Sequence, residues 1–118
     1  MAWLVDFHPD FEPEAMAYED AVREELAAYI GLLMERGPDL ARPHADTLNG
    51  SRFARMKELR LTVEKHEWRI AYAFDPERKA ILLCGGDKTG VNQRRFYKTL
   101  MATADERYEA HVKSLEKK

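Results

Sequence analysis

Arg60, Arg69 and Lys88 are the residues whose types point most directly to chemistry. A guanidinium offers paired donors to phosphate oxygens and stays charged, whereas an ammonium acts as a point charge. Gathered on one surface, such groups do more than hold RNA. When a ribose 2′-OH attacks the adjacent phosphate, negative charge builds on the phosphoryl oxygens, and one donor placed there stabilises the transition state by about 3 to 4 kcal/mol. That chemistry calls for no metal and no cofactor. Tyr97 and Glu58 are the candidates for proton transfer, which typically contributes roughly 10² to 10⁴ in rate. Lys57, Arg94, Arg95 and Lys98 are candidates for contacting RNA. Each has a plainer role open to it: Arg69 suits a salt bridge to Glu58 or Asp87, Glu58 suits a partner for Arg60, and Tyr97 suits packing of the last helix onto a sheet.

Two strands place the first of these groups. Residues 68–74 alternate, with Trp68, Ile70, Tyr72 and Phe74 on one face and Arg69, Ala71 and Ala73 on the other. Residues 80–84 form the next strand across the turn Asp75-Pro76-Glu77-Arg78-Lys79, and the glycines Gly85 and Gly86 are expected to end it. A preceding strand over about 55–63 puts Met56, Glu58 and Arg60 on one face and Lys57, Leu59, Leu61 and Val63 on the other, with Glu64-Lys65-His66-Glu67 as the hairpin turn. Arg60, Arg69 and Lys88 are therefore expected to meet on one surface of a small sheet.

The covering elements follow from a change of period. Residues 3–7 read as a short strand stopped at His8-Pro9. From Pro13 or Glu14 to Arg36, apolar residues recur at helical spacing, acids crowd the start, and Arg36-Gly37-Pro38 supplies a basic last turn, a glycine cap and a stop. Residues 40–51, with Pro43, Asn49 and Gly50, read as a loop. A final helix over about 92–115 aligns Phe96, Leu100, Ala104, Tyr108 and Val112 near one face. The fold class is α+β: a small antiparallel sheet of about four strands packed against one or more N-terminal helices and a C-terminal helix.

At 118 residues, 45% of them hydrophobic and 34% charged, residues 1–118 suit a single globular domain. No run nears the roughly 18 apolar residues of a membrane span, and the first residues lack the pattern of a signal peptide, so no membrane association and a cytoplasmic location are expected. The net charge of −2 hides a division: through Gly50 eleven acids face three arginines, a balance of −8, which leaves +6 on the remainder. A polyanion is drawn to the second half and repelled by the first.

Other chemistries find little support. Gly85-Gly86-Asp87-Lys88-Thr89-Gly90 lacks the first glycine of a phosphate-binding loop and no parallel βαβ unit surrounds it. His8, His44, His66 and His111 are scattered without paired spacing, so no metal site is expected. Cys84, the one cysteine, sits in Ile81-Leu82-Leu83-Cys84 as a small buried hydrophobe.

Taken together, Lys57-Glu58-Leu59-Arg60, then Trp68-Arg69-Ile70-Ala71-Tyr72-Ala73-Phe74-Asp75, then Leu82-Leu83-Cys84-Gly85-Gly86-Asp87-Lys88 resemble the RelE/HigB toxins of type II toxin–antitoxin modules, specifically their phage-derived branch. The resemblance covers nearly the whole chain. It implies a toxin that enters the ribosomal A site and cleaves mRNA without a metal, silenced by an antitoxin encoded next door, of helix-turn-helix HigA-like type. It also implies Arg60, Arg69 and Lys88 as the phosphate-stabilising cations and Tyr97 as an acid/base or stacking residue. Where RelE carries lysines on the strand before the first of these arginines, this chain offers Met56 and Glu58, so Glu58 stands in for a lysine base. Two alternatives remain open at this level: a ParE-like inhibitor of DNA gyrase on the same fold, and an inactive module that only binds its antitoxin.

Overall fold

A computed structural model describes residues 2–117; Met1 and Lys118 lie outside the described residues. The alternating second half of the chain forms the sheet. Strands β3 (Lys57–Val63), β4 (His66–Phe74) and β5 (Ala80–Asp87) pair antiparallel. Strand β1 (Val5–Phe7) lies parallel to β5 on one side, and β2 (Ala45–Thr47) lies antiparallel to β3 on the other, giving the order β1-β5-β4-β3-β2. The α+β class holds, with five strands where about four are expected. The added strand is β2, inside the stretch expected to be loop. It is three residues long, and such a short pairing leaves no alternation to detect beside the proline and glycine around it.

The N-terminal helical pattern is interrupted. Helix α1 (Glu12–Met16) and helix α2 (Asp20–Arg36) flank Glu19, whose extended backbone (φ −59°, ψ 153°) stops one helix from running into the other. Between them the Tyr18 ring packs at a tilt against Trp68, with ring centres 4.8 Å apart. Helix α2 ends at Gly37 (φ +56°), where an added Cβ would lie 2.4 Å from the Trp3 indole. Helix α3 (Gln93–Glu116) begins at Asn92, whose side chain accepts from the Arg95 amide at 2.9 Å.

The sheet is covered on both faces. On one, Leu59, Leu61, Ile70, Tyr72 and Leu82 meet Val22, Leu26 and Leu33 of α2. On the other, Met56, Ala71, Ala73, Ile81, Leu83 and Cys84 meet Leu100 and Ala104 of α3. Each large aliphatic side chain sealed in this way contributes roughly 1.5 to 3 kcal/mol. The alanines on the α3 face let the helix close on the sheet. Burial pushes the Cys84 thiol up to about 12, as suits a core residue.

Two local irregularities decide where the polar groups go. Glu64 (φ +50°) and Lys65 (φ +71°) form a two-residue loop of primed-turn geometry. Strand β4 therefore starts at His66 and includes Glu67, which the sequence reading places in the turn. In β5 the pairing steps from Tyr72↔Leu82 to Ala71↔Cys84, leaving Leu83 unpaired as a β-bulge. The bulge reverses the phase of the strand, so Cys84, Gly86 and Lys88 fall on the α3 face rather than the α2 face. The glycines do not end the strand: Gly85 and Gly86 pair with Ile70 and Arg69.

Candidate functional site

On the α3 face, cross-strand pairing sets Arg60 of β3 directly opposite Arg69 of β4, and Arg69 opposite Gly86 of β5. The next row toward the turn is Thr62 opposite Glu67, with the Lys88 amide donating to the Glu67 carbonyl at 2.8 Å. The three cations expected to converge thus share one face, beside the first turns of α3. Gly86 leaves room for Phe96, which an added Cβ would approach to 3.1 Å, and this lets Tyr97 settle over the cations.

Two arginines directly opposite one another destabilise a sheet unless anions offset them. Glu58 supplies the first anion. Its Oε2 accepts from Arg60 Nη1 at 2.7 Å, and its Oε1 lies 3.8 Å from Arg69 Nε. Glu58 is only 4% exposed, and its Oε1 is buried without a hydrogen-bond partner among the described residues. Such an oxygen costs free energy in a protein interior.

Arg69, 2% exposed, is held on several sides. Its Nε donates to the Tyr97 hydroxyl at 3.3 Å, its Nη1 donates to the Trp68 carbonyl at 3.0 Å, and both Nη1 and Nη2 lie 3.5 Å from Glu67 Oε1. Lys88 Nζ sits 5.7 Å from the centre of the Tyr97 ring and forms no ion pair among the described residues. Burial, then the Arg69 and Arg60 charges, lowers the Lys88 pKa, with Glu58 and Glu67 opposing. Burial, then the Glu58 charge, raises the Tyr97 pKa, so the phenol keeps its proton at neutral pH.

The remaining candidates divide. Lys57 is on the α2 face, as its register requires, and donates to the Pro38 carbonyl at 3.1 Å, away from the other cations. Arg94 and Lys98 are exposed on α3, with Arg94 one turn before both Tyr97, three residues on, and Lys98, four residues on. Arg95 turns instead toward a cleft of about 600 Å³ between α1 and α3, lined by Cys84, Gly85, Phe96, Leu100 and Arg107, and does not join the cluster. Glu67 is the site residue that sequence reasoning missed. Its position two residues before Arg69 carried the information, because strand alternation puts both on one face.

Comparisons with known proteins bear on the family and the fold. The sequence pattern described as "Phage derived protein Gp49-like (DUF891)" matches residues 14–109. A Mycobacterium tuberculosis protein named as toxin HigB3 is 47% identical over 90 residues, which cover 74% of this chain and 76% of that protein. A second from the same organism, named as toxin HigB2, is 42% identical over 94 residues, covering 79% of this chain but only 46% of its own length. Among solved structures, a double arginine-to-alanine mutant of E. coli toxin RelE in the free state matches with a TM-score of 0.62 over 91% of this chain and 98% of that one, at 18% identity. A chain of the archaeal RelE–RelB complex from Pyrococcus horikoshii matches with a TM-score of 0.55 over 77% of this chain and 100% of that one, at 13% identity. At such identities the structural likeness is one of fold. The match over most of its length and the 47% identity place this chain in the phage-derived Gp49-like family, with HigB-type toxins as its kin and RelE as its fold.

Proposed function

We propose that this chain is a ribosome-dependent endoribonuclease, the toxin of a toxin–antitoxin module, and that it cuts mRNA by metal-independent attack of a 2′-OH on the adjacent phosphate. The observation that carries this is the convergence of Arg60, Arg69, Lys88 and Tyr97 on one face, with the orphaned Oε1 of Glu58 behind them. The three cations stabilise the charge that develops on the phosphoryl oxygens. Tyr97 faces the scissile linkage, and Glu58, sealed below it, acts through Tyr97.

The proton balance follows from that order. As O2′ bonds to phosphorus, its proton passes to the Tyr97 oxygen while the phenolic proton moves to the free oxygen of Glu58. As the P–O5′ bond breaks, the same path runs in reverse and delivers a proton to O5′. The products are a 2′,3′-cyclic phosphate and a free 5′-OH, and the protein returns to its starting state. Arg69 Nε, donating to the phenol oxygen, stabilises negative charge there in transit. Arg94 and Lys98 extend the positive strip along which RNA is drawn.

The partners are the ribosome with its mRNA and a cognate antitoxin, of helix-turn-helix HigA-like type encoded next door, which silences the toxin by covering this basic surface. The test adds purified protein to a translating extract and maps RNA termini. Fragments ending in 2′,3′-cyclic phosphate that appear only while ribosomes translate support the proposal. Intact mRNA at full occupancy of the protein contradicts it, and loss of gyrase supercoiling in a parallel reaction would move the function to the ParE-like alternative.

A further inference from the structure

The Arg69 guanidinium has five N–H donors, and protein surrounds nearly all of it. Nε faces Tyr97 and Glu58, and one Nη1 hydrogen goes to the Trp68 carbonyl. Of the three hydrogens left, one on Nη2 points to the same side as Nε, and the other two form the outer fork between Nη1 and Nη2, which a single atom straddles: Glu67 Oε1, 3.5 Å from each nitrogen. A phosphate oxygen seeking the paired donors of Arg69 needs that place. Unlike Glu58, Glu67 is a rim residue, with its side chain 43% exposed against 5% for Glu58. Its second oxygen is tethered from across the strand pair by Thr62 Oγ1 at 2.9 Å, while its contacts with Arg69 sit at the long limit for a hydrogen bond.

We propose that Glu67 is a displaceable carboxylate gate: it occupies the phosphate place on Arg69 in the free protein and swings out when an RNA phosphate arrives. The proposal rests on the phosphate-binding reading of this site and adds its regulation. The two carboxylates then hold different offices. Glu58, buried beneath both arginines, stays in place throughout, and Glu67, at the mouth, competes with the substrate. The gate also lowers the net charge that a passing polyanion meets, so that loose RNA is held weakly until a surface that positions the linkage supplies further contacts. Thr62 sets how firmly the gate is shut.

The test measures equilibrium binding of a short fluorescent 2′-O-methyl RNA, which resists cleavage, to wild type and variants in the absence of ribosomes. Glu67→Gln, which keeps shape and removes charge, is expected to bind about tenfold more tightly, the scale of one hydrogen bond to a charged group. Glu64→Gln removes the same charge from the adjacent turn and is expected to gain much less. In a Glu67→Gln/Arg69→Lys double variant the gain is expected to vanish, because an ammonium has no fork to expose. Thermal melting accompanies each variant, and Thr62→Val provides a second route to a loosened gate with Glu67 intact. Equal affinity of Glu67→Gln and wild type, with Arg69→Lys weakening both, would overturn the gate and leave the phosphate site standing. Weaker binding by Glu67→Gln would also overturn the gate, since it would make the carboxylate a support for Arg69. If Arg69→Lys changes neither, the phosphate site itself fails and the gate fails with it.

Discussion

The two ends of α3 rest on the same face of the same sheet, and they treat their polar groups in opposite ways. Toward the C-terminal end, Tyr108 donates to the Phe74 carbonyl at 2.8 Å. Asp75 is fully enclosed, with Oδ1 accepting the Glu77 and Lys79 amides at 2.9 Å each and Oδ2 bonded to His111 at 2.8 Å. Asp105 accepts from Ser51 and the Arg52 amide and pins the segment before β3. Toward the N-terminal end, about 16 Å away by helical rise, Tyr97 lies beside a buried carboxylate, Glu58, one oxygen of which has no hydrogen-bond partner among the described residues, and beside Lys88, which forms no ion pair among them. The same residue types therefore serve two purposes. Satisfied groups fasten the helix, and the incompletely partnered groups beside Tyr97 are the ones the proposed function would use.

Substitutions at either end sharpen the contrast. The largest effect is expected from Arg69→Lys, which keeps the charge and loses the fork and the Nε bond to Tyr97: cleavage on programmed ribosomes should fall about 10²- to 10³-fold. Wild-type rates from the folded variant would break the comparison at its functional end. At the other end, Asp75→Ala should lower unfolding free energy by about 3 kcal/mol, measured by denaturant titration, because a buried hydrogen-bonded carboxylate is lost and its partners are orphaned. Burial alone raises the Asp75 pKa, but the His111 bond and then the Lys79 and Glu77 amides outweigh it and hold it below the usual aspartate value. A depressed carboxylate pKa gives stability that is present above the unfolded value, near 4, and is lost as pH falls through the folded one. The acid limb of the wild-type stability curve should accordingly shrink in Asp75→Ala.

A smaller effect is expected from Lys88→Arg. Burial and the neighbouring arginines depress the Lys88 pKa, so the ammonium loses its charge at a lower pH than a free lysine does. Single-turnover cleavage should therefore decline on the alkaline side in wild type. The permanently charged arginine should shift that decline to higher pH. Superimposable profiles would remove Lys88 charge from the chemistry.

Much of this contrast was legible in the residue order, and its limits have physical causes. Alternation from Trp68 to Phe74 separates Arg69 from the apolar face correctly, because that face is continuous and the opposite one carries small or charged residues. Helix α3 is equally plain, since Leu100 and Ala104 recur at the helical period. The route by which Lys88 reaches the α3 face is not legible. In Ile81-Leu82-Leu83-Cys84 every residue is apolar, both faces of β5 are covered, and a one-residue bulge leaves no trace in a run without alternation. Glu67 was lost for a related reason: Glu64 and Lys65 take positive φ without a glycine to mark the turn, so the turn reads longer than it is. The interruption between α1 and α2 lies in the backbone of Glu19, a residue type that ordinarily continues a helix.

The central claim is that the Tyr97 phenol takes part in chemistry whereas the Tyr108 phenol fastens the fold, and two matched single-atom deletions test it. Tyr97→Phe and Tyr108→Phe are compared by single-turnover cleavage of mRNA on programmed ribosomes, normalised to the folded fraction, alongside thermal melting. Tyr97→Phe should lose about 10²-fold or more in rate while melting near wild type, and Tyr108→Phe should keep its rate and lose about 1 kcal/mol of stability. A Tyr97→Phe variant that cleaves at the wild-type rate would contradict the account.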